Sequence, residues 1–426
     1  MKLQSVHLDG FRNVDNVRID FDGPMTALVS ANSYGKSNLM LGIAFAFEFI
    51  SVPTEYRLRM MGNKSFVPIN RALDRRNFCF ELEALDTSDE APCLVRYGYE
   101  FSWRENREDR AILREWLEVK EKGEHKKFNR LIRREGESLY KASPTGRCTT
   151  AISVKPFELV LNRLQQTQNL YYKALLDRLV ELKAHFETHL DARQFYEQFP
   201  FVFKGEEEFS LESLSSIPRV VYALLQKHPD RYELLIDAFK LLFPSVQTMD
   251  VREVDFGNLH DFKISEDAPF KVTNKAYSLF VQDVNLNQPI DFSRLSDGAK
   301  RIFLMLTCVI VADIRRTQLL EFEEPENCIH PGLLQRYLRV LAQLAGDVRI
   351  LVASHSPLLV QYLNPTDIYV GQPNREGVAQ FRKIAARSQK LLMKDAGAEG
   401  ASVGEYLFDL LSGSDDSIEI LKNYLG

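Results

Sequence analysis

LSDGAKR at Leu295–Arg301 and LLEFEEPENCIHP at Leu319–Pro331 decide how the rest of this 426-residue chain is read. In the first, Ser296 and Gly298 open an apolar run of helical length. Backbone N–H groups gather there at a helix N-terminus, which favours an anion, and a glycine lets the backbone approach one closely. Taken alone, the same residues also describe an ordinary N-capped helix. In the second, an apolar strand ends in Glu323 and Glu324, and Pro325 fixes the exit turn. Paired carboxylates at a strand end suit metal-assisted phosphoryl transfer. Glu323 would hold Mg²⁺ directly or through water, and Glu324 would polarise the attacking water. A further buried strand, Val348–Ala353, runs into Ser354, His355, Ser356 and Pro357. Polar residues at the carboxyl ends of such strands lie where α/β sheets bind ligands, so His355 is placed to contact and sense a γ-phosphate.

If these are two parts of a nucleotide site, a phosphate loop is expected elsewhere. Near the N-terminus a short apolar strand, Met25–Ser30, leads into Asn32, Ser33, Tyr34, Gly35, Lys36, Ser37 and Asn38, and then into the apolar helix LMLGIAFAFEF. Strand, loop, GKS and helix is the context in which backbone amides cradle phosphates, Lys36 neutralises their oxygens and the Ser37 hydroxyl ligates Mg²⁺. A bare GKS also fits an ordinary turn before a helix. The usual pattern places a glycine where Ser30 stands.

The remaining text is organised around these pieces. Residues 1–29 read as two strands and a buried third, and Phe78–Lys141 alternates in strand fashion as an antiparallel meander. Five basic residues in Lys126–Arg134 (Lys126, Lys127, Arg130, Arg133, Arg134) fit a phosphate-backbone patch or, with glutamates flanking them, the solvated face of a sheet. Leu175, Leu179, Leu182, Phe186 and Leu190 repeat at helical spacing and predict a helix of four or five turns, part of a lid or short hairpin. His185 and His189 lie four apart, but Phe186 stands where a zinc protease needs glutamate, so they predict no metal site. His228-Pro229-Asp230 predicts a turn between two helices, and Val251–Phe292 is strand-rich. After His355 come a basic helix carrying Arg382, Lys383, Arg387, Lys390 and Lys394, and a final amphipathic helix.

Composition bounds the classes available. Hydrophobic content of 45% and charged content of 27% are those of a globular protein, and a net charge of −5 gives no general argument for nucleic acid. Five scattered cysteines (Cys79, Cys93, Cys148, Cys308, Cys328) without a CxxC pair predict a reduced, cytoplasmic setting and neither a disulfide framework nor a zinc site. The charged start predicts no signal peptide. The longest apolar run, Ile302–Ile314, is 13 residues, short of the roughly 18 needed to span a membrane, and predicts a buried helix.

In that order, SANSYGKSN, LSDGAKR, LLEFEEPENCIHP and VASHSP resemble the Walker A, signature, Walker B with D-loop, and H-switch elements of ABC-type ATPases. The nearest likeness is to the SMC-like and overcoming-lysogenization-defect groups, in which EEPE followed by His-Pro is typical. The FRN at Phe11–Asn13, Asn32 and Asn38 fit the same pattern. The motifs cover mainly residues 1–45 and 290–365, and the middle resembles the family only in layout. The resemblance implies an α/β, ABC-type P-loop NTPase core with an antiparallel β lobe and an inserted helical lid. Its parts would be an N-terminal head portion at 1–150, a lid at 151–250 and a C-terminal head portion at 251–426. ATP and Mg²⁺ would be bound between subunits of a homodimer or higher homo-oligomer. Asn32, Gly35, Lys36, Ser37 and Asn38 of one chain would meet Ser296 and Gly298 of another, with Glu323 and Ser37 on the metal and Glu324 and His355 catalytic. A Q-loop glutamine is also implied, for which Gln165, Gln166 and Gln168 are the candidates. Ser30 and Ser33 stand at usual glycine positions, and Glu323 replaces the more general aspartate. The roughly 70 residues after the His355 strand predict that the TOPRIM nuclease domain of that group, about 100 residues or more, is missing. The chain therefore resembles stand-alone ATPase subunits of bacterial anti-phage systems, PARIS-like ones among them, which control a separate toxin or nuclease. DNA binding, as in RecF-like or SMC-like repair ATPases, is the alternative, and a slow, nucleotide-bound scaffold is a third. No membrane role is implied.

Overall fold

β3 (Met25–Val29) is buried at every residue, which a strand achieves when both edges are paired and both faces covered. It lies between β17 (Arg349–Ser354) and β18 (Ile368–Gly371), parallel to both. β16 (Leu319–Glu323) continues the parallel sheet beyond β17. β19 (Phe381–Lys383) closes one edge antiparallel to β18, and β10 (Ala184–Glu187) lies at the other, giving the order β10-β16-β17-β3-β18-β19. This computed structural model describes all residues except 63–66, 89–92, 105, 122–126, 188–200, 204–208, 210–215, 256–267, 269, 373–375 and 414.

By its internal contacts the chain divides into two units: Met1–Phe186 with Thr317–Glu324 and Asp347–Gly426, and Glu187–Arg316 with Pro325–Gly346. The first holds the parallel sheet and the expected meander. β1 (Lys2–Asp9), β2 (Val17–Asp20), β4 (Phe78–Asp86), β5 (Cys93–Phe101), β6 (Ile112–Glu121), β7 (Asn129–Glu135), β8 (Glu137–Lys141) and β9 (Cys148–Ala151) form one antiparallel sheet. Its order is β2-β1-β4-β5-β6-β7-β8-β9. α1 (Lys36–Ser51) packs its apolar side on this lobe, with Phe49 stacked on Tyr99 at 4.8 Å and on Phe101 at 5.0 Å. Such ring pairs add about 1 kcal/mol each beyond the area they bury. The helix ends in a buried cap. Arg57, from α2 (Thr54–Met60), donates to the carbonyls of Phe49, Ile50 and Val52 and to Asn162 Oδ1. A guanidinium thus satisfies carbonyls that a helix end leaves without partners.

The basic run 126–134 resolves as a sheet face where it is described. Arg130 pairs with Glu118 at 2.8 Å and Arg133 with Glu135 at 3.3 Å. Arg134 is buried, donating to the Glu158, Lys155 and Pro156 carbonyls, and Lys126 lies outside the described residues.

Three expectations about helices are corrected. After α3 (Val160–Gln165), α4 (Lys173–Val180) stops short, and Ala184–Glu187 becomes the edge strand β10. Lys183 causes the break, exchanging bonds with Gln318: its N–H donates to Gln318 Oε1 at 2.7 Å and its carbonyl accepts from Gln318 N at 2.9 Å. His185 falls on β10, while His189 and Leu190 lie outside the described residues. Arg382 and Lys383 are not helical but belong to β19; the helix begins later, as α10 (Gln389–Ala398), and follows the short α9 (Pro357–Gln361). The final helix is two, α11 (Val403–Ser412) and α12 (Asp415–Lys422), parted near Gly413.

The second unit contains the expected helix pair, α5 (Ile217–Lys227) and α6 (Pro229–Leu242), hinged at His228. It also contains β12 (Val246–Asp255), β14 (Lys275–Asp283) and β15 (Ile290–Asp291) in one small sheet, and β11 (Phe201–Phe203) paired with β13 (Phe270–Val272). α7 (Asp297–Ile314) and α8 (Pro331–Leu344) complete it. Phe303 of α7 meets Phe239 at 5.2 Å and Phe292 at 4.8 Å, fixing this core. Residues Ile302 through Ala312 are all buried, and among the described residues no helix is long and apolar enough to cross a membrane.

Candidate functional site

Parallel register sets the site. Val29 of β3 lies opposite Ser354 of β17, and Ala353 opposite Glu323 of β16, so three strands end at one level. The segments that leave them carry Ser30–Gly35, His355 and Glu324, the arrangement by which open parallel sheets form ligand crevices.

α1 begins at Lys36, with Gly35 at φ +118° as its N-cap and, among the described residues, no side-chain cap. Ser33 adopts φ +58°, the left-handed conformation that a glycine usually supplies, at a cost of about 1–2 kcal/mol. Ala31, Asn32 and Ser33 are exposed, whereas Lys36 is 5% exposed. The Lys36 ammonium donates to the Ser30 carbonyl and Oγ, both at 3.1 Å, and to the Ala31 carbonyl at 3.3 Å. The serine in the glycine's place thus supplies a second oxygen to the lysine. Asn38 lies one turn into the helix and donates to Asn13 Oδ1 at 2.8 Å while accepting from Arg12 at 2.9 Å.

Lys36 Nζ also lies 3.4 Å from His355 Nδ1, and the Ser37 hydroxyl donates to the Glu323 carboxylate. His355 Nε2 is 4.0 Å from Glu324 Oε1. Burial and the neighbouring Lys36 ammonium hold the imidazole below its ordinary pKa, against the pull of Glu324 and Glu323, so the neutral form is favoured. Ser354 Oγ accepts from the Ser356 N–H at 2.9 Å, which fixes the turn that presents His355. Side chains alternate along a strand, yet Glu323 and Glu324 both border the site. The reason is local: Glu324 leaves the strand with φ +48°. Left-handed backbone at a non-glycine residue is the kind of strain that clusters at functional sites.

Lys36, Ser37, Glu323, Glu324 and His355 are therefore brought together, with Gly35 and Asn38 in the same loop and helix start and Asn32 exposed on the loop. Ser296 and Gly298 belong to the second unit. There Ser296 caps α7 by accepting from Ala299 N at 3.3 Å, and a Cβ on Gly298 would fall 2.3 Å from the Cys328 carbonyl. Gln165 is engaged with Asp177, and Gln166 and Gln168 are exposed. Glu321, on the same strand as Glu323, is fully buried; among the described residues neither carboxylate oxygen has a hydrogen-bond partner, and burial drives its carboxyl well above the usual carboxylate range. The contacts of Tyr34, Ser30, Arg12 and Asn13 with the loop are not readable from motif spacing. The only signal is the FRN text.

A lysine at a helix N-terminus, a hydroxyl–carboxylate pair and a second carboxylate beside a neutral imidazole, on parallel strands, define a P-loop NTPase core. The fold is α/β, and an antiparallel β lobe accompanies that core. The chain belongs to the family described as "AAA domain, putative AbiEii toxin, Type IV TA system", whose model matches residues 25–361. No curated protein matches. Among solved structures, the chain is similar to an SmcHead bound to the C-winged helix domain of ScpA, at 13% identity and a TM-score of 0.49 over 92% of this chain and 100% of that one. It is similar as well to the SMC head domain from Thermotoga maritima, at 12% identity and a TM-score of 0.42, covering 91% of this chain and 100% of that one. A third likeness is to an Smc head domain with an extended coiled coil bound to the C-terminal domain of ScpA derived from Pyrococcus furiosus. There the identity is 10% and the TM-score 0.41, over 93% and 99% of the two chains.

Proposed function

We propose that this protein binds and hydrolyses ATP with Mg²⁺ and acts as a molecular switch. The observation that carries the reading is the convergence of Lys36, Ser37, Glu323, Glu324 and His355 on the ends of three adjacent strands. The donor set fits the ligand: an ammonium and a helix N-terminus for phosphate, a hydroxyl and a carboxylate for a hard cation. When bound, Mg²⁺ neutralises charge on the phosphate oxygens. Ser37 and Glu323 would hold it, Lys36 would bind phosphate, Asn32, Gly35 and Asn38 would shape the loop, and Glu324 would orient and deprotonate water. His355, neutral and beside both Lys36 and Glu324, would donate or accept a hydrogen bond at the terminal phosphate.

Assembly is part of the proposal. Ser296 and Gly298, at the N-terminus of α7, would complete the site of a second copy, giving a homodimer or higher homo-oligomer in which a lone monomer is nearly inert. The switch would control a separate effector, a toxin or nuclease, in bacterial anti-phage defence in the cytoplasm. The family's description in terms of a toxin–antitoxin system supports that direction. Glu324→Gln tests the chemistry: it retains ATP binding and lowers turnover about 10²–10⁴-fold. Undiminished phosphate release in that variant would overturn the assignment.

A further inference from the structure

A buried tyrosine holds the phosphate loop against β18 and β19. Ala31, Asn32 and Ser33 are exposed, yet the next residue, Tyr34, is only 8% exposed. Its ring lies against Gly371 at the end of β18: a Cβ there would fall 2.6 Å from Tyr34 Cδ1 and 2.7 Å from Cε1. Phe381 of β19 meets the ring edge-on at 5.8 Å, and the Tyr34 hydroxyl accepts from the Gln380 N–H at 3.4 Å. Asn13 donates to the Tyr34 carbonyl at 3.3 Å, and a Cβ on Gly35 would collide with Ala379 Cβ at 2.7 Å. The segment that bears Ala379 is itself locked to the N-terminal loop, since Ala379 N donates to Asn13 O at 2.7 Å and Asp15 N to Ala379 O at 3.1 Å.

We propose that Tyr34, seated on Gly371, Gln380 and Phe381, is a positioning residue that preorganises the phosphate loop for nucleotide. The physical need is specific to this loop. Serines stand where glycines are usual, and Ser33 sits at φ +58°, a conformation its own backbone does not favour. A ring buried one residue later pins the loop in that shape before any phosphate arrives. Binding then does not carry the full cost of ordering the loop. Tyr34 touches no reacting atom in this reading. Its effect is on affinity, with the chemical step untouched once the site is filled.

The proposal rests on the nucleotide reading above. The test uses the full chain, a non-hydrolysable ATP analogue by calorimetry, and phosphate release for KM and kcat. Tyr34→Ser is expected to weaken analogue binding about tenfold or more and to raise KM in parallel, with kcat at saturation within about twofold. Tyr34→Phe keeps the ring and is expected to bind within about twofold of the parent. Gly371→Ala drives a methyl into the ring from another strand and gives the same loss, and the two changes combined give less than their sum. That variant carries the test if Tyr34→Ser does not fold. A folded Tyr34→Ser that binds like the parent overturns the proposal, as does a loss confined to kcat, or a Tyr34→Phe as weak as Tyr34→Ser. Failure of the parent chain to bind the analogue would instead sink the nucleotide reading, and this inference with it.

Discussion

Two helix N-termini in the same unit use one physical device for opposite ends. At α3 the fold supplies its own carboxyl acceptor, whose pKa burial raises against the pull of the two helix N–H groups. The buried Glu115 carboxylate accepts from Val160 N at 2.6 Å, Leu161 N at 2.9 Å and the Tyr97 hydroxyl at 3.1 Å. At α1, among the described residues, no side chain caps the end; the Lys36 ammonium is held by the Ser30 and Ala31 oxygens, and the Ser37 hydroxyl donates to Glu323. One helix end is plugged from within and gives stability. The other, in the proposed reading, is left for a phosphate from solvent, beside a loop whose tip is exposed. Burial alone does not separate them, since Lys36 and Glu115 are 5% and 1% exposed. What separates them is that a carboxyl side chain caps α3, whereas among the described residues no side chain caps α1.

The comparison predicts a double dissociation. Lys36→Ala is expected to weaken nucleotide binding at least about 100-fold, the scale of removing one partner from a desolvated charge pair. Its unfolding midpoint in urea should stay at or above that of the parent, because functional sites carry local strain. Calorimetry beside urea unfolding reads both, and a large loss of stability would erase the contrast. Glu115→Ala should do the reverse. It leaves two N–H groups and a hydroxyl unpaired and costs about 3 kcal/mol of stability, with nucleotide affinity in the surviving folded protein near that of the parent.

The smallest effect concerns His355. Its folded pKa is depressed, so its contribution to stability is present above the ordinary histidine value and is lost as pH falls through the folded one. Ring-proton NMR should show the imidazole titrating below that ordinary value, and Lys36→Ala should move it upward by removing the ammonium 3.4 Å away. An unshifted midpoint in the Lys36 variant would deny that the two groups meet.

Legibility followed locality. β3, the loop and α1 were readable because an apolar strand, a glycine–lysine–serine turn and an apolar helix lie within about thirty residues, and β16 and β17 were readable by the same logic. In the α4 region Leu175, Leu179 and Leu182 do keep helical spacing, so local pattern extends the helix too far. What ends the helix is pairing with Gln318, more than a hundred residues away. Arg382 and Lys383 were likewise drawn out of a helix by the edge of β18. Glu321 shows the converse limit, since no local pattern predicts a carboxyl enclosed by a sheet face.

By itself the sequence determined the chemical inventory: a phosphate loop with serines at glycine positions, paired carboxylates after an apolar strand, a histidine after the next, and an antiparallel meander between. Periodicity and turn chemistry are local properties, and they are written in adjacent residues. Only the tertiary structure decided which of these groups meet. The register of three parallel strands brings Lys36 and Ser37 to Glu323, Glu324 and His355, although about 290 residues separate the loop from the first acid. The same nonlocal pairing decided that Tyr34 and Glu321 are buried, because burial depends on what other strands place nearby.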